Sequence, residues 1–394
     1  MWPRGATAVT IMDDKTVPTS AWLAFSLSQP NAVSQFRRLR ESCPDPVDAG
    51  RSIQQHTCSA ATARKVDEAL AWQAAAADRH LLGLDHPAYP ALLQDTLDAP
   101  VILYAEGSLD ALNRPLVAAV GSRKASHAAL THTHTVCAEL AALHIGIVSG
   151  LAMGIDRAAH EAALSIGGIT IAVAATAPGK VYPRQHIALA ERILDSGGLI
   201  LTEYGLGSVT RPWHFPQRNR IISGISLGVL VAEASLPSGT LTTATHAMNQ
   251  GREVMAVPGS VHNLQARGCH ALIKQGAALV ETAQDVVDVL GQPLQRHLQA
   301  CLASAPESPE VTVEGLQGMR GTQGSLPLLD DELDACDRKI LDWLAGQPAN
   351  LDELVTLADA EQQTWALSQV SSALGLLEIR GYITTTAGGR YARC

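Results

Sequence analysis

No apolar run in the sequence approaches the roughly 18 residues needed to cross a bilayer. The opening stretch, MWPRGATAVTIMDDKTVPTS, lacks the apolar centre and small-residue cleavage site of a secretory signal. Membrane association and export are disfavoured, and a cytoplasmic location is expected. The seven cysteines (Cys43, Cys58, Cys137, Cys269, Cys301, Cys336 and Cys394) are odd in number, scattered and never spaced as CxxC. Such spacing gives neither a disulfide framework nor a zinc site, so reduced, packed thiols are expected. Charged residues are modest, 17% against 46% hydrophobic, which is the balance of a folded globular chain rather than a disordered one.

Catalytic signatures are missing as well. A dinucleotide fingerprint needs GxGxxG after the first strand, whereas GSRKAS at 121–126 has one glycine. The nearest approach to a P-loop has Ala174 in place of the first glycine and Val181 in place of the hydroxyl residue. His160 and Glu161 are followed by AAL and lack the second histidine of a zinc protease. Ser122, Ser149 and Ser238 have no evident histidine and acid around them, and His132 and His134 cannot share a helical face. No cofactor, no metal and no catalytic residue is therefore expected.

At 394 residues the chain exceeds one ordinary core, and two or three domains are expected. Residues 19–80 carry apolar positions at three- and four-residue spacing and read as a small helical module. Residues 81–115 read as a Pro-rich connector with one short strand, VILYAEG. From 116 to 291 apolar strands alternate with amphipathic helices: PLVAAVG, IGIVSG, GITIAVAA, GLILTE, LGVLVAEA, REVMAVPG and AALVE. Unbroken aliphatic strands are buried on both faces, and the helices between them make parallel crossovers. The fold class is thus α/β, a doubly wound parallel sheet with ligands at the carboxyl ends of its strands. Residues 292–333, rich in Gln, Gly, Ser and Pro, read as a linker. The tail, 334–394, shows three helical patterns and a Gly-Gly hairpin in YITTTAGGRYA, the order of a winged helix.

The turns after the strands carry the chemistry. Gly121 allows a tight turn, Ser122 stands near a helix N-terminus, and Arg123 sits where an anion is held. The loop GLAMGID flanks a short turn with Gly150 and Gly154 and places Asp156 at a helix start, as either a cap or a ligand. SLPSGT and PGS are two further small-residue turns. Together they form a ledge of backbone N–H groups suited to phosphate or carboxylate. In RPWHFPQRNRIISG, Arg218 and Arg220 straddle Asn219 just after Phe215 and Trp213. Guanidinium forks and an aromatic face suit an unpaired nucleic-acid strand better than a duplex. Arg220 has a second reading, an internal pair with Glu203 or Glu233, and Phe215 has one as a core residue.

These stretches resemble the DprA/Smf family of DNA-processing proteins. The resemblance runs through VAAVGSRKAS, IVSGLAMGIDRAAHEAAL, ITIAVAATAPGKVYPRQH, GLILTEYGLGSVTRPWHFPQRNRIISGIS, VLVAEASLPSGTLTTATHAMNQGREVMAVPGS and GCHALIKQGAALVE, in family order from Val117 to Glu281. It implies an extended Rossmann-like domain that binds single-stranded DNA, forms a homodimer and helps load RecA during natural transformation. An N-terminal SAM-like module and a C-terminal winged helix are implied too. The implied DNA pocket uses Arg123, Phe215, Arg218, Asn219 and Arg220. Along the same side the resemblance places Gly121, Ser122, Ser149, Gly150, Gly154, Asp156, Ser238, Gly239, Thr240, Gly268 and Lys274. The chain departs from the family at ATAPGKVYP and at His270.

The expected function is accordingly non-enzymatic: a single-strand binder that protects incoming DNA and passes it to RecA. A net charge of -9 does not oppose this, because affinity follows the local field. Three arginine contacts to phosphate imply a log–log salt slope of about -2. Two alternatives remain. One is a phosphoribohydrolase of the lysine-decarboxylase-like (LOG) Rossmann type, whose PGGxGT-and-glutamate signature has only LPSGTLTTATHA as its counterpart here. The other is a non-catalytic interaction scaffold.

Overall fold

The apolar strands assemble into one nine-stranded sheet. They are β1 (Arg79–Gly83), β2 (Ile102–Gly107), β3 (Leu116–Gly121), β4 (Gly146–Ser149), β5 (Thr170–Val173), β6 (Leu199–Thr202), β7 (Gly228–Glu233), β8 (Glu253–Ala256) and β9 (Ala278–Leu279). Their order is β1-β2-β6-β5-β4-β3-β7-β8-β9. From β6 to β9 all neighbours are parallel, while β2 joins β6, and β1 joins β2, antiparallel. The coordinates are a computed structural model that describes residues 17–28, 32–42, 59–304 and 335–345, with parts of the chain between 349 and 393. Two units divide the chain, Met1–Glu307 and Ser308–Cys394.

The helices of the first unit are α1 (Thr19–Ser28), α2 (Ala32–Ser42), α3 (Ala60–Ala74), α4 (Ala91–Gln94), α5 (His127–Ala142), α6 (Ile155–Ser165) and α7 (Ile187–Asp195). They continue with α8 (His214–Gly224), α9 (Gly239–Asn249), α10 (Arg267–Lys274), α11 (Ala283–Val289) and α12 (Gly291–Ser304). Side-chain alternation along the strands explains why helices cover both faces. Ala118, Val120, Val229 and Val231 join a core with Ile221, Ala244, Cys269 and Leu272. Their neighbours Val117, Ala119 and Leu230 join a second core with Val136, Leu140, Ala159, Ala163, Val286 and Leu290. Cys137 and Cys269 are buried free thiols, and burial pushes Cys137 up to about 12.

The chain winds outward from β3 through β4, β5 and β6, then returns to β7 on the other flank of β3. The crevice between the carboxyl ends of β3 and β7 is therefore a topological switch point.

Three differences from the expected layout have local causes. The stretch read as a connector supplies two strands, because RHLLG pairs with ILYAEG residue for residue from Arg79↔Glu106 to Gly83↔Ile102. The helical module is not separate from the sheet: Trp22, Phe25 and Phe36 belong to the same core as Leu81, Leu103 and Val231. A Cβ on Gly83 would lie 2.4 Å from the Trp22 ring, so the strand admits the indole only as glycine. The first part of the expected linker is helical, as α12. Residues 305–333 lie outside the described residues.

In the second unit, α13 (Ala335–Leu344) packs with Leu354, Val370, Leu374, Leu377 and Ile383 around Ile340 and Leu344. Strands β10 (Ile383–Thr386) and β11 (Arg390–Arg393) pair antiparallel. The expected Gly-Gly turn between them lies outside the described residues. Of the three expected helical patterns, α13 is the one described without a break. Among the described residues no helix is long and apolar enough to cross a membrane, and no cluster of metal-binding side chains occurs.

Candidate nucleic-acid interface

The turn after β3 is anchored by its neighbours rather than by itself. A Cβ on Gly121 would meet Ile155 at 2.4 Å, so only glycine lets the start of α6 approach. The Ser122 amide donates to the Glu233 carbonyl at 2.7 Å, and the Ser122 hydroxyl accepts from the Lys124 amide at 3.1 Å. The Glu233 carboxylate accepts from the Ser126 amide (2.8 Å), the Ser126 hydroxyl (2.8 Å) and the Asn263 amide group (2.9 Å). One buried acid thereby ties together the β3 turn, the end of β7 and the loop after β8. Arg123 and Lys124 are left exposed on this rigid turn.

The loop after β4 closes on the same turn. Gly154 has φ +77, and a Cβ there would lie 2.2 Å from the Ser122 carbonyl oxygen. Asp156 is buried, and its carboxylate accepts from the amides of Gly150 (3.1 Å) and Ala152 (3.3 Å). Burial pushes its pKa upward, against the pull of Arg218 and the two amides. The Asp156 carboxylate thus serves as the loop's internal anchor.

Helix α8 brings the arginine. Arg218 is only 3% exposed, and its guanidinium donates to the Val173 carbonyl. Burial lowers its pKa to about 10, with Asp156 opposing the shift. Room for it is made by Gly150, where a Cβ would fall 2.4 Å from the guanidinium. One turn earlier the Phe215 ring lies under Arg123, 5.5 Å from ring centre to guanidinium carbon, and 5.3 Å from the Tyr182 ring. The Asn219 side chain donates to the Gly239 carbonyl at 3.3 Å, coupling α8 to α9. Ser238 caps α9 by accepting from the Thr240 amide at 3.1 Å.

Together these elements enclose a cavity of about 520 Å³ at the switch point. Gly121, Ser122 and Arg123 line it from the β3 turn, and Asp156 from the β4 loop. Phe215, Arg218 and Asn219 line it from α8, and Ser238, Gly239 and Thr240 from the β7 turn. Other residues singled out by sequence sit elsewhere. Ser149 is buried, its hydroxyl donating to the Ala119 carbonyl at 2.7 Å. Gly150 supports Arg218 from behind, and Gly154 lines a neighbouring cavity. Gly268 holds α10 against β7, its amide donating to the Ala234 carbonyl at 2.7 Å. Lys274 is exposed at the far end of α10, about 10 Å along the axis from Gly268.

Arg220 is the main correction. It is 8% exposed, ion-paired with Glu203 and 3.8 Å from Asp98, and it does not line the cavity. The reason is helical periodicity: two residues from Arg218 the side chain points to the other side of α8, toward the strand-end acid. Trp213 and Arg211 also lie outside the lining, where the Arg211 guanidinium stands 5.0 Å above the Trp213 ring. Lys124, Thr243 and Gln265, which no motif in the sequence singles out, also line the cavity. Lys124 carried a signal, being adjacent to Arg123 in the same turn. Gln265 carried none, since a short 3-10 turn after β8 brings it to Ser122 at 3.4 Å.

Residues 80–291 match the family model described as DNA recombination-mediator protein A, and residues 325–389 match that of the DprA winged helix domain. The chain is 37% identical to Protein Smf of Escherichia coli strain K12 over 328 residues, covering 83% of this chain and 80% of that one. It is 47% identical over 199 residues to the DNA processing protein DprA of Streptococcus pneumoniae, covering 50% of this chain and 70% of the relative. The X-ray structure of DprA from Streptococcus pneumoniae superposes with a TM-score of 0.57 at 36% identity, over 69% of this chain and 98% of that one. The Rossmann-like sheet with its switch-point cavity, the winged-helix match and these identities agree: the chain belongs to the DNA recombination-mediator protein A family, the DprA/Smf proteins.

Proposed function

We propose that the chain binds single-stranded DNA in the switch-point cavity and does so without turning it over. The observation that carries this reading is the pairing of Arg123 with Phe215 at the mouth, above the buried charge of Arg218. A phosphate finds guanidinium donors there, and a base finds an aromatic face within the same few ångströms. A duplex keeps its bases stacked inside and has no use for the ring. The cavity's one lining carboxylate, Asp156, is buried and hydrogen-bonded to two backbone amides, which favours holding over acid–base chemistry.

The family resemblance extends the proposal. The bound strand is incoming DNA in natural transformation, the protein protects it and helps to load RecA onto it, and the working form is a homodimer through the Rossmann-like domain. Of the sequence-derived residues, the proposal keeps Gly121, Ser122, Arg123, Phe215, Arg218, Asn219, Ser238, Gly239 and Thr240 as contacts and adds Lys124. Gly150, Gly154, Asp156 and Gly268 take supporting roles. The rival nucleotide-processing enzyme is tested by incubating the protein with nucleoside monophosphates and assaying released base. The expected result is none, alongside salt-sensitive binding of labelled oligothymidylate; base release would overturn the reading.

A further inference from the structure

A second cavity abuts the first. It holds about 520 Å³ between the start of α5 and the start of α6. Arg123 and Lys124 line both cavities, so the basic turn after β3 is a ridge with a hollow on either side. Beyond the ridge, His127, His134 and Arg157 surround an apolar floor that includes Leu130 and Met153. The one carboxylate there, Glu161, is ion-paired with Arg157 at 2.9 Å. Counting Arg123, Lys124 and Arg157 against Glu161, the lining carries a formal charge of +2 in a chain whose total is -9.

His127, His134 and Arg157 are exposed, and among the described residues the Arg157 guanidinium pairs with Glu161, one turn along the same helix. Ahead of α5 the Ser126 amide donates to the Glu233 carboxylate, and in its first turn the Ala129 amide donates to the Ser126 hydroxyl. The charged groups in the lining are the side chains of Arg123, Lys124, Arg157 and Glu161.

We propose that the second cavity receives the continuation of the same single strand, which bends over the ridge formed by Arg123 and Lys124. This inference rests on the strand-binding reading of the first cavity. An unpaired strand carries a phosphate at every nucleotide, so an occupant of the first cavity sends charged phosphates past its edge. The cationic hollow on the other side of the ridge meets them. A duplex stays stiff over about 150 base pairs and cannot follow a bend between two hollows of this size. The strand is thus gripped on both sides of one turn, and Arg157 acts only on strands long enough to cross it.

The test uses the full chain and labelled oligothymidylates of about 4 and about 16 nucleotides, lengths that bracket common single-strand site sizes. Arg157→Glu with His134→Glu is expected to leave the short probe's affinity unchanged. The long probe should bind about tenfold more weakly at low salt, with a salt slope shallower by about 0.7. Arg157→Ala gives the same direction with a smaller effect and guards against an effect of charge reversal on folding. Glu161→Gln, which releases Arg157, is expected to tighten the long probe only. An unchanged long probe, or equal losses on both lengths, overturns the second cavity while leaving the first intact. Failure of the unaltered protein to bind the short probe removes the first cavity as well.

Discussion

Arg123 and Arg220 lie in two of the stretches that carry the family resemblance and have opposite surroundings, so replacing each with alanine separates binding from folding. Arg123 is exposed and stacks on the Phe215 face. Its loss removes one of three proposed phosphate contacts, Lys124 and Arg218 being the others, each worth about 0.7 in salt slope on a single strand, so the slope should move from about -2 to about -1.4. Referred to 1 M salt, that is about an eightfold weaker complex at 50 mM, with thermal stability changed by less than about 0.5 kcal/mol. Arg220→Ala instead strands the Glu203 carboxylate, whose side chain is 11% exposed. Breaking a buried pair from one side costs about 3–5 kcal/mol, or roughly 10 °C in melting temperature for a unit of this size. Its salt slope, read by anisotropy at a temperature where the variant is folded, should stay at about -2. If Arg220→Ala flattens the slope while melting normally, Arg220 contacts phosphate and the division drawn here is wrong.

Three further outcomes are expected. Gly150→Ala places a methyl group 2.4 Å from the Arg218 guanidinium and should cost about 1–3 kcal/mol in urea unfolding while weakening oligothymidylate binding. A variant with ordinary binding would show that Arg218 is not part of the grip. His160 is fully buried, its Nδ1 is 2.7 Å from the Thr170 hydroxyl, and burial, with His186 and Arg218, lowers its pKa to about 3. The unfolded chain binds the proton more tightly, so this contribution is complete above the ordinary histidine range and is lost as pH falls from 6.5 toward 3. About 2 kcal/mol should be gone by pH 5, and His160→Asn should abolish that part of the pH dependence even though the raised pKa of Asp156 pulls the other way in both proteins. Trp22→Ala empties the space that Gly83 leaves and should cost about 3–5 kcal/mol, checked by denaturant melts of the first unit.

Legibility from sequence followed burial. Strand β7 shows six buried residues in GVLVAE and reads as a central parallel strand without ambiguity. RHLLG carries a weaker strand signal, because its first two residues are only half-buried and its partner strand lies some twenty residues on. The phosphate-type turn GSR was visible because a glycine, a hydroxyl and a cation follow a strand directly. The support behind it was not: Glu233 meets Ser126 across 107 residues, and Gly150 meets Arg218 of a helix far along the chain. Arg220 shows the limit most plainly. Both a phosphate contact and a Glu203 pair fit its spacing, and only the direction of α8 against the end of β6 decides between them.

The most direct measurement is an anisotropy titration of labelled oligothymidylate with the full chain, compared with Arg123→Glu combined with Lys124→Glu. Both residues are exposed, so the variant should melt like the parent. The parent should bind with a salt slope of about -2, and the variant about 60-fold more weakly at 50 mM salt, from two lost contacts. Equal, salt-insensitive binding by the two proteins would contradict a single-strand site at the carboxyl ends of β3 and β7.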